Sequence, residues 1–211
     1  MVRSTQIDTF SRIARVSRET ITSLVQYEKM LIKANKKLSL IGNSTVNQIW
    51  HRHFLDSFQL IDFIEEKDKS LVDLGSGAGF PGLVLSIAAK DRNIPIKIRL
   101  LEKSPKKVKF LKEVIKELYL DVEVINQNIF QNQIKFRGDV FVARAFKPIQ
   151  KIFELMHNKV NNWEKIFLFL GKTGKRELLQ ASKMWDIEYK QRDSVTSNDS
   201  IVIEVKKLKK K

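Results

Sequence analysis

The chain of 211 residues contains no cysteine, which excludes a disulfide framework and a thiolate nucleophile. Histidine occurs only at positions 51, 53 and 157, and no metal-ligand spacing is visible. No apolar run reaches the roughly 20 residues of a membrane span. Met1 to Arg12 is polar and holds no signal-peptide core. These absences are read as a cytoplasmic enzyme, expected to be a monomer, with no membrane and no metal. Acidic residues are outnumbered: 24 Asp and Glu stand against 39 Lys and Arg, giving a net charge of +15 and a pI near 9.9. The excess clusters at Lys103, Lys106, Lys107, Lys109 and Lys112, and again at Lys206, Lys207, Lys209, Lys210 and Lys211. Such a surface attracts polyanions, nucleic acid first among them, because each phosphate contact releases counterions. The plainer alternative is a lysine-rich surface that serves solubility.

Hydrophobic residues make up 43% of the chain, enough for one α/β domain with an extension. Residues 4–37 carry helical spacing, with Ile7, Phe10, Ile13 and Ala14 on one face and a break near Val16-Ser17-Arg18. A further helix is expected from Asn43-Ser44 to about Glu65. From Ser70 the pattern changes to short strands alternating with helices, which implies a parallel sheet. Strands are expected near 70–74, 97–102, 121–125, 138–143 and 164–170, and a closing hairpin near 185–191 and 200–206. Helices are expected near 80–90, 105–118, 147–159 and 174–184. The domain reading is a helical extension over 1–66, an α/β domain over 67–206 and a basic tail over 207–211.

The chain is organised around Ser70 to Leu83, an apolar strand that runs into glycines at 75, 77, 79 and 82 and then a helix. Glycines there let a ligand approach the backbone, and N–H groups at the helix start face it. Gly77 to Gly82 matches the dinucleotide pattern G-x-G-x-x-G. Counted from Gly75, with Asp73 inside the strand, the stretch resembles motif I of the S-adenosylmethionine (AdoMet) methyltransferases. The second register is preferred because Gly75 is the glycine that closely follows the strand. Glu102 ends the second strand, where a carboxylate suits a ribose diol of AdoMet or NAD alike. Its plainer role is a pair with a nearby lysine. Asn126 to Phe130 follows the third strand, where an adenine would sit. Arg144 ends the apolar fourth strand, so it should face a cleft or pair with Asp139 or Asp73. Gly171-Lys172-Thr173 is not a P-loop, because no glycine stands at 166.

Asn35-Lys36, Arg52-His53-Phe54-Leu55-Asp56-Ser57, Val72 to Gly82, Leu101-Glu102-Lys103 with Lys107 and Phe110-Leu111, and Ala143-Arg144-Ala145 occur in this order. Together they resemble the RsmG family, also called glucose-inhibited division protein B, over roughly residues 30–205. The resemblance implies a Rossmann-like class I AdoMet-dependent methyltransferase fold: a seven-stranded mixed sheet with an N-terminal helical extension. It implies methylation of a guanine N7 in small-subunit (16S) ribosomal RNA, with the RNA or the small ribosomal subunit as partner. AdoMet contacts are implied at Gly75, Phe80, Ile129, Phe130 and Arg144, and expected also at Gly77 and Glu102. Arg144, His53 and Asp56 are expected to position the reactants, His53 and Asp56 lying three apart on one helix face. Lys36, Arg52, Lys103, Lys106 and Lys172 are expected to meet RNA. The sequence departs from the family with Ser76 for Thr, Phe130 for an acid, and Ser39-Leu40-Ile41 for Asn-Leu-Thr. The rival readings are an NAD-dependent oxidoreductase on the same sheet and a non-catalytic RNA-binding assembly factor.

Overall fold

The computed structural model describes residues 3–131 and 135–211. Two helices, α1 (Arg3–Ala14) and α2 (Arg18–Leu38), open the chain. Ser17 separates them and caps α2, its hydroxyl accepting the Thr20 N–H at 3.2 Å. Leu24, Tyr27 and Leu31 recur at helical spacing on the buried face of α2.

The single helix expected from 43 to 65 is not formed. The segment is a 3₁₀ turn (Asn43–Gln48), a π turn (Trp50–Leu55), the short helix α3 (Asp56–Phe58) and a second 3₁₀ turn (Ile61–Phe63). The apolar periodicity was sound, since Trp50, Phe54, Leu55 and Phe58 are buried. What the local pattern lacked is a tertiary bond: the Arg52 carbonyl accepts from Arg144 at 2.5 Å, within the wide π turn.

The α/β part follows as β1 (Ser70–Leu74), α4 (Gly82–Asp91), β2 (Lys97–Glu102), α5 (Pro105–Glu117), β3 (Val122–Asn126), β4 (Val140–Arg144), α6 (Ile149–Lys159), β5 (Lys165–Leu170), α7 (Gly174–Ala181), β6 (Trp185–Ser194) and β7 (Ser197–Lys210). The expected seven-stranded mixed sheet is present, in the order β3-β2-β1-β4-β5-β7-β6. The first five strands are parallel, and β7 pairs antiparallel with both β5 and β6. Strand alternation divides the core. Leu71, Leu100, Val140, Val142 and Phe167 face α4, α5 and the helical extension. Val72, Leu74, Leu101, Phe141 and Leu168 face α6 and α7. The extension therefore shares one continuous core with α4 and α5.

The basic tail expected over 207–211 is instead mostly strand. Lys207 and Lys209 lie opposite Glu188 and Asp186 of β6, and opposite charges across a ladder favour pairing.

At the amino edge of the sheet, Lys165 opens β5 with 2% exposure. Its ammonium lies 2.8 Å from Asp68 and 3.1 Å from Glu65, and it donates to the Phe63 carbonyl at 3.0 Å. This fastens the chain entering β1 to β5. Lys165→Met should destabilise the protein by about 3–5 kcal/mol, because it leaves the Asp68 carboxylate buried without its cation. Urea unfolding measures the loss, and Asp68→Leu added to Lys165→Met should recover much of it.

Candidate active site

The carboxyl ends of β1, β2, β3 and β4 surround a cavity of 710 Å³. The glycine loop forms its floor. Gly75 and Gly77 have φ of +73° and +58°, conformations that an L side chain adopts only with strain. A Cβ on Gly75 would collide with the Phe146 ring, which covers this part of the loop. Gly82 brings α4 against the sheet so closely that a Cβ there would strike Leu100 and Asp73.

Asp73 lies beneath the loop, fully buried. Its Oδ2 accepts the Gly82 N–H at 3.0 Å, and Oδ1 has no partner among the described residues. Burial pushes its carboxyl up to about 7, against the Gly82 hydrogen bond that favours the charged form. From α2, Tyr27 donates its hydroxyl to the Ala78 carbonyl and props the loop from outside the α/β unit. Burial holds that phenol well above its usual value, so it remains a donor.

Glu102 stands at the end of β2. Its Oε2 accepts the Gly77 N–H at 3.0 Å and its Oε1 accepts the Ser104 N–H at 2.7 Å. Among the described residues it pairs with no lysine; the carboxylate joins the two loops instead. Each oxygen keeps a second lone pair for a ligand hydroxyl.

Arg144 closes β4 and is the most constrained group of the site. Its Nε lies 3.0 Å from Asp56 Oδ2, and its Nη2 donates to the Arg52 carbonyl and to His53 Nδ1, the latter at 3.1 Å. The guanidinium also lies over the Phe80 and Phe169 rings, at 5.7 and 5.9 Å from their centroids. Nη1 is buried without a partner among the described residues. Burial lowers the Arg144 pKa, and Asp56 opposes that. The ion pair is thus with Asp56. Asp139 instead accepts the Lys69 and Ser70 N–H groups, at 2.7 and 2.8 Å.

His53 is held on both sides. Its ring stacks on Phe80, with centroids 4.9 Å apart and planes at 13°, and its Nε2 is 2.9 Å from Thr45 Oγ1. Burial, then the charges of Arg144 and Arg52, push its pKa down to about 3. Nδ1 faces a guanidinium donor, so it accepts, and Nε2–H donates to Thr45. Asp56 Oδ1 accepts from Ser194, Thr196 and Gln59, at 2.8, 2.9 and 3.0 Å. His53 lies in the π turn and Asp56 opens α3, and each is bonded to Arg144.

The structure brings His53, Gly75, Gly77, Phe80, Glu102, Lys103, Ile129, Phe130 and Arg144 to the lining of one cavity. Asp56 does not line it and stands behind Arg144. Arg52 contributes a carbonyl rather than its side chain. Lys36 and Lys106 are exposed outside the lining, and Lys172 pairs with Asp199 at 3.3 Å. Gln127 lies in the stretch expected beside an adenine, while Phe146 and Lys147 line the cavity without a role read from the sequence. Gln127 has a buried Nε2 without a partner among the described residues. Phe146 stacks on Phe130, with centroids 5.7 Å apart. Lys147 sits over Phe130 at 5.9 Å. Phe146 and Lys147 adjoin Arg144 in sequence, which was the available signal. Tyr27 had none.

No helix among the described residues is long and apolar enough to cross a membrane. No group of three or more His, Cys, Asp or Glu among them is placed to hold a metal ion. Among solved structures, the ribosomal protein L11 methylase of Lactobacillus delbrueckii subsp. bulgaricus shares the fold, with TM-score 0.55, 15% identity, and coverage of 79% of this chain and 80% of that one. Two chains named ribosomal RNA small subunit methyltransferase G are closer in sequence. That of Pelagibacter ubique (strain HTCC1062) is 36% identical over 198 residues, 93% of this chain and 92% of the relative. That of Rickettsia akari (strain Hartford) is 36% identical over 195 residues, 92% and 98% respectively. The model of the GidB family, rRNA small subunit methyltransferase G, matches residues 20–202, and the chain belongs to that family.

Proposed function

We propose that this chain transfers a methyl group from AdoMet to N7 of a guanine in small-subunit ribosomal RNA, in the cytoplasm and as a monomer. The observation that carries the reading is the joint lining of one cavity by the glycine loop, Glu102 and Arg144. The donor set fits AdoMet. Arg144 Nη1 and Gln127 Nε2 are buried donors without partners among the described residues, suited to a carboxylate and to the edge of an adenine. Glu102 has lone pairs left for a ribose diol. Phe130 gives its N–H to Asn128 Oδ1 at 3.2 Å, so its half-exposed ring is the part left for the adenine face, where the family has an acid. The family membership turns the reading from a nicotinamide enzyme to a methyltransferase, since Glu102 alone serves either ribose.

When bound, AdoMet supplies a methyl group already activated on a sulfonium sulfur. Guanine N7 carries a lone pair and no proton, so the acceptor needs orientation rather than a base. His53 accordingly works as a fixed neutral spacer, its Nδ1 engaged by Arg144. Asp56 is a positioning residue that holds Arg144 through Nε. Arg144 lines the cavity with a guanidinium fixed by Asp56, the Arg52 carbonyl and His53. Lys103, Lys107, Lys147 and Lys151 line the same cavity and offer charge to RNA phosphates.

Labelled AdoMet incubated with unmodified 16S ribosomal RNA or small subunits should place the label on a guanine N7. Label on another atom, or none, would reject the assignment. Arg144→Lys should fold, because Lys retains the charge opposite Asp56. It should lose about tenfold or more in transfer rate, because the fork that reaches His53, Arg52 and the ligand together is gone.

The His53 environment predicts an acid-labile fold. The unfolded imidazole takes up a proton near 6.5 and the folded one only near 3. Stability is therefore fully present above pH 6.5 and declines as pH falls from 6.5 towards 3. His53→Gln keeps a neutral hydrogen-bonding side chain. It should remove about 2–3 kcal/mol of the loss between pH 7.5 and pH 4.5 in urea unfolding.

A further inference from the structure

A second cavity, of 330 Å³, opens at the carboxyl ends of β4 and β5. Ala145, Phe146 and Lys147 line it and the first cavity alike, so the two adjoin along that segment. Its walls mix apolar and polar surface, with Phe146, Pro148, Ile152 and Phe169 beside Lys147 and Glu177. Glu177, from the first turn of α7, is the one carboxylate lining it among the described residues. Resting on the methyltransferase reading, we propose that this cavity receives the acceptor guanine and that Glu177 accepts hydrogen bonds from its N1–H and N2 amine.

A guanine that offers N7 to a methyl donor has to leave that edge open, so it is held by the opposite, Watson–Crick edge. That edge presents two donors side by side, N1–H and the N2 amine. A carboxylate accepts both with its two oxygens. Adenine has no proton on N1 and would leave the carboxylate unmatched, so the same group selects guanine. Among the described residues, only Glu102 and Glu177 supply carboxylates to either cavity. Glu102 lines only the first cavity, where it accepts the Gly77 and Ser104 N–H groups and its remaining lone pairs are assigned to the ribose diol. Glu177 has one oxygen steadied by the Thr173 hydroxyl at 2.7 Å, and its Oε2 makes no hydrogen bond among the described residues.

The surroundings fit a base as well. Phe146 and Phe169 supply ring faces for stacking, worth about 1–3 kcal/mol per base in single-stranded nucleic acid complexes. Arg144 stands at the junction, its guanidinium over Phe169 of the second cavity and Phe80 of the first. A guanine seated against Glu177 would thus direct N7 towards the segment from Arg144 to Phe146, beyond which the glycine loop lies.

Methyl transfer to unmodified small-subunit ribosomal RNA tests the assignment. Glu177→Gln keeps the shape of the side chain and cannot accept both protons. Its kcat/KM for RNA should fall by about tenfold or more, while AdoMet affinity by calorimetry stays unchanged. Thr173→Val keeps the carboxylate and should fall by less than about threefold. Inosine in place of the mapped guanine removes the N2 amine. On that RNA the wild type should slow, and the gap between it and Glu177→Gln should narrow to within about threefold. Undiminished turnover of Glu177→Gln overturns the proposal. So does a parallel loss of AdoMet affinity, an equal loss in Thr173→Val, or a full tenfold gap on inosine RNA. A wild-type chain that binds AdoMet but methylates no ribosomal guanine overturns the methyltransferase reading together with this one.

Discussion

Arg144 and Asp56 form an ion pair 3.0 Å apart, their side chains 16% and 11% exposed. Charges so shielded recover little of their lost hydration unless every remaining lone pair and proton is occupied. That requirement recruits distant parts of the chain. The π turn lends the Arg52 carbonyl and His53, the β6–β7 turn lends Ser194 and Thr196, and the guanidinium lies over the Phe80 and Phe169 rings. The helical extension, the sheet edge and the closing hairpin therefore meet at one cation. A change at any of them displaces the guanidinium that lines the cavity.

This arrangement also explains which parts of the molecule were legible in the sequence. Strands β1, β2 and β5 and helices α2, α5 and α6 carry their periodicity in the residues they bury, and they lie within a few positions of expectation. The glycine loop and Glu102 were visible because the chemistry is local: a strand, a turn, an acid at the next strand end. Arg144 stood out as a charge ending an apolar strand. Its partner did not, because Asp139 and Asp73 were nearer in the strand pattern and Asp56 is reached only through the fold. The break-up of 43–63 into two 3₁₀ turns, a π turn and a short helix is likewise tertiary, since the same apolar spacing serves an unbroken helix. Tyr27 supports the glycine loop from 51 positions away, beyond any local signal.

The charge of the chain divides by position. Lys172 is opposed by Asp199, and Lys207 and Lys209 face acids across the sheet. Lys103, Lys107, Lys147 and Lys151 line the cavity itself. The net charge of +15 favours long-range attraction to polyanions, whereas these few lysines concentrate positive charge at the cavity. Lys147 lines each cavity and lies over the Phe130 ring.

The hairpin that ends the sheet leaves β6 as an outer strand, with one side of its backbone unpaired in the seven-stranded order. A bare edge of this kind invites another chain to add a strand. Here the ribbon is studded with Asp186, Glu188, Lys190 and Asp193, all exposed, and its ladder to β7 is interrupted between Glu188 and Tyr189. A strand arriving from a second molecule would have to bury those charges and follow that kink. The sheet can thus end in an open strand without that strand serving as a template for a second molecule.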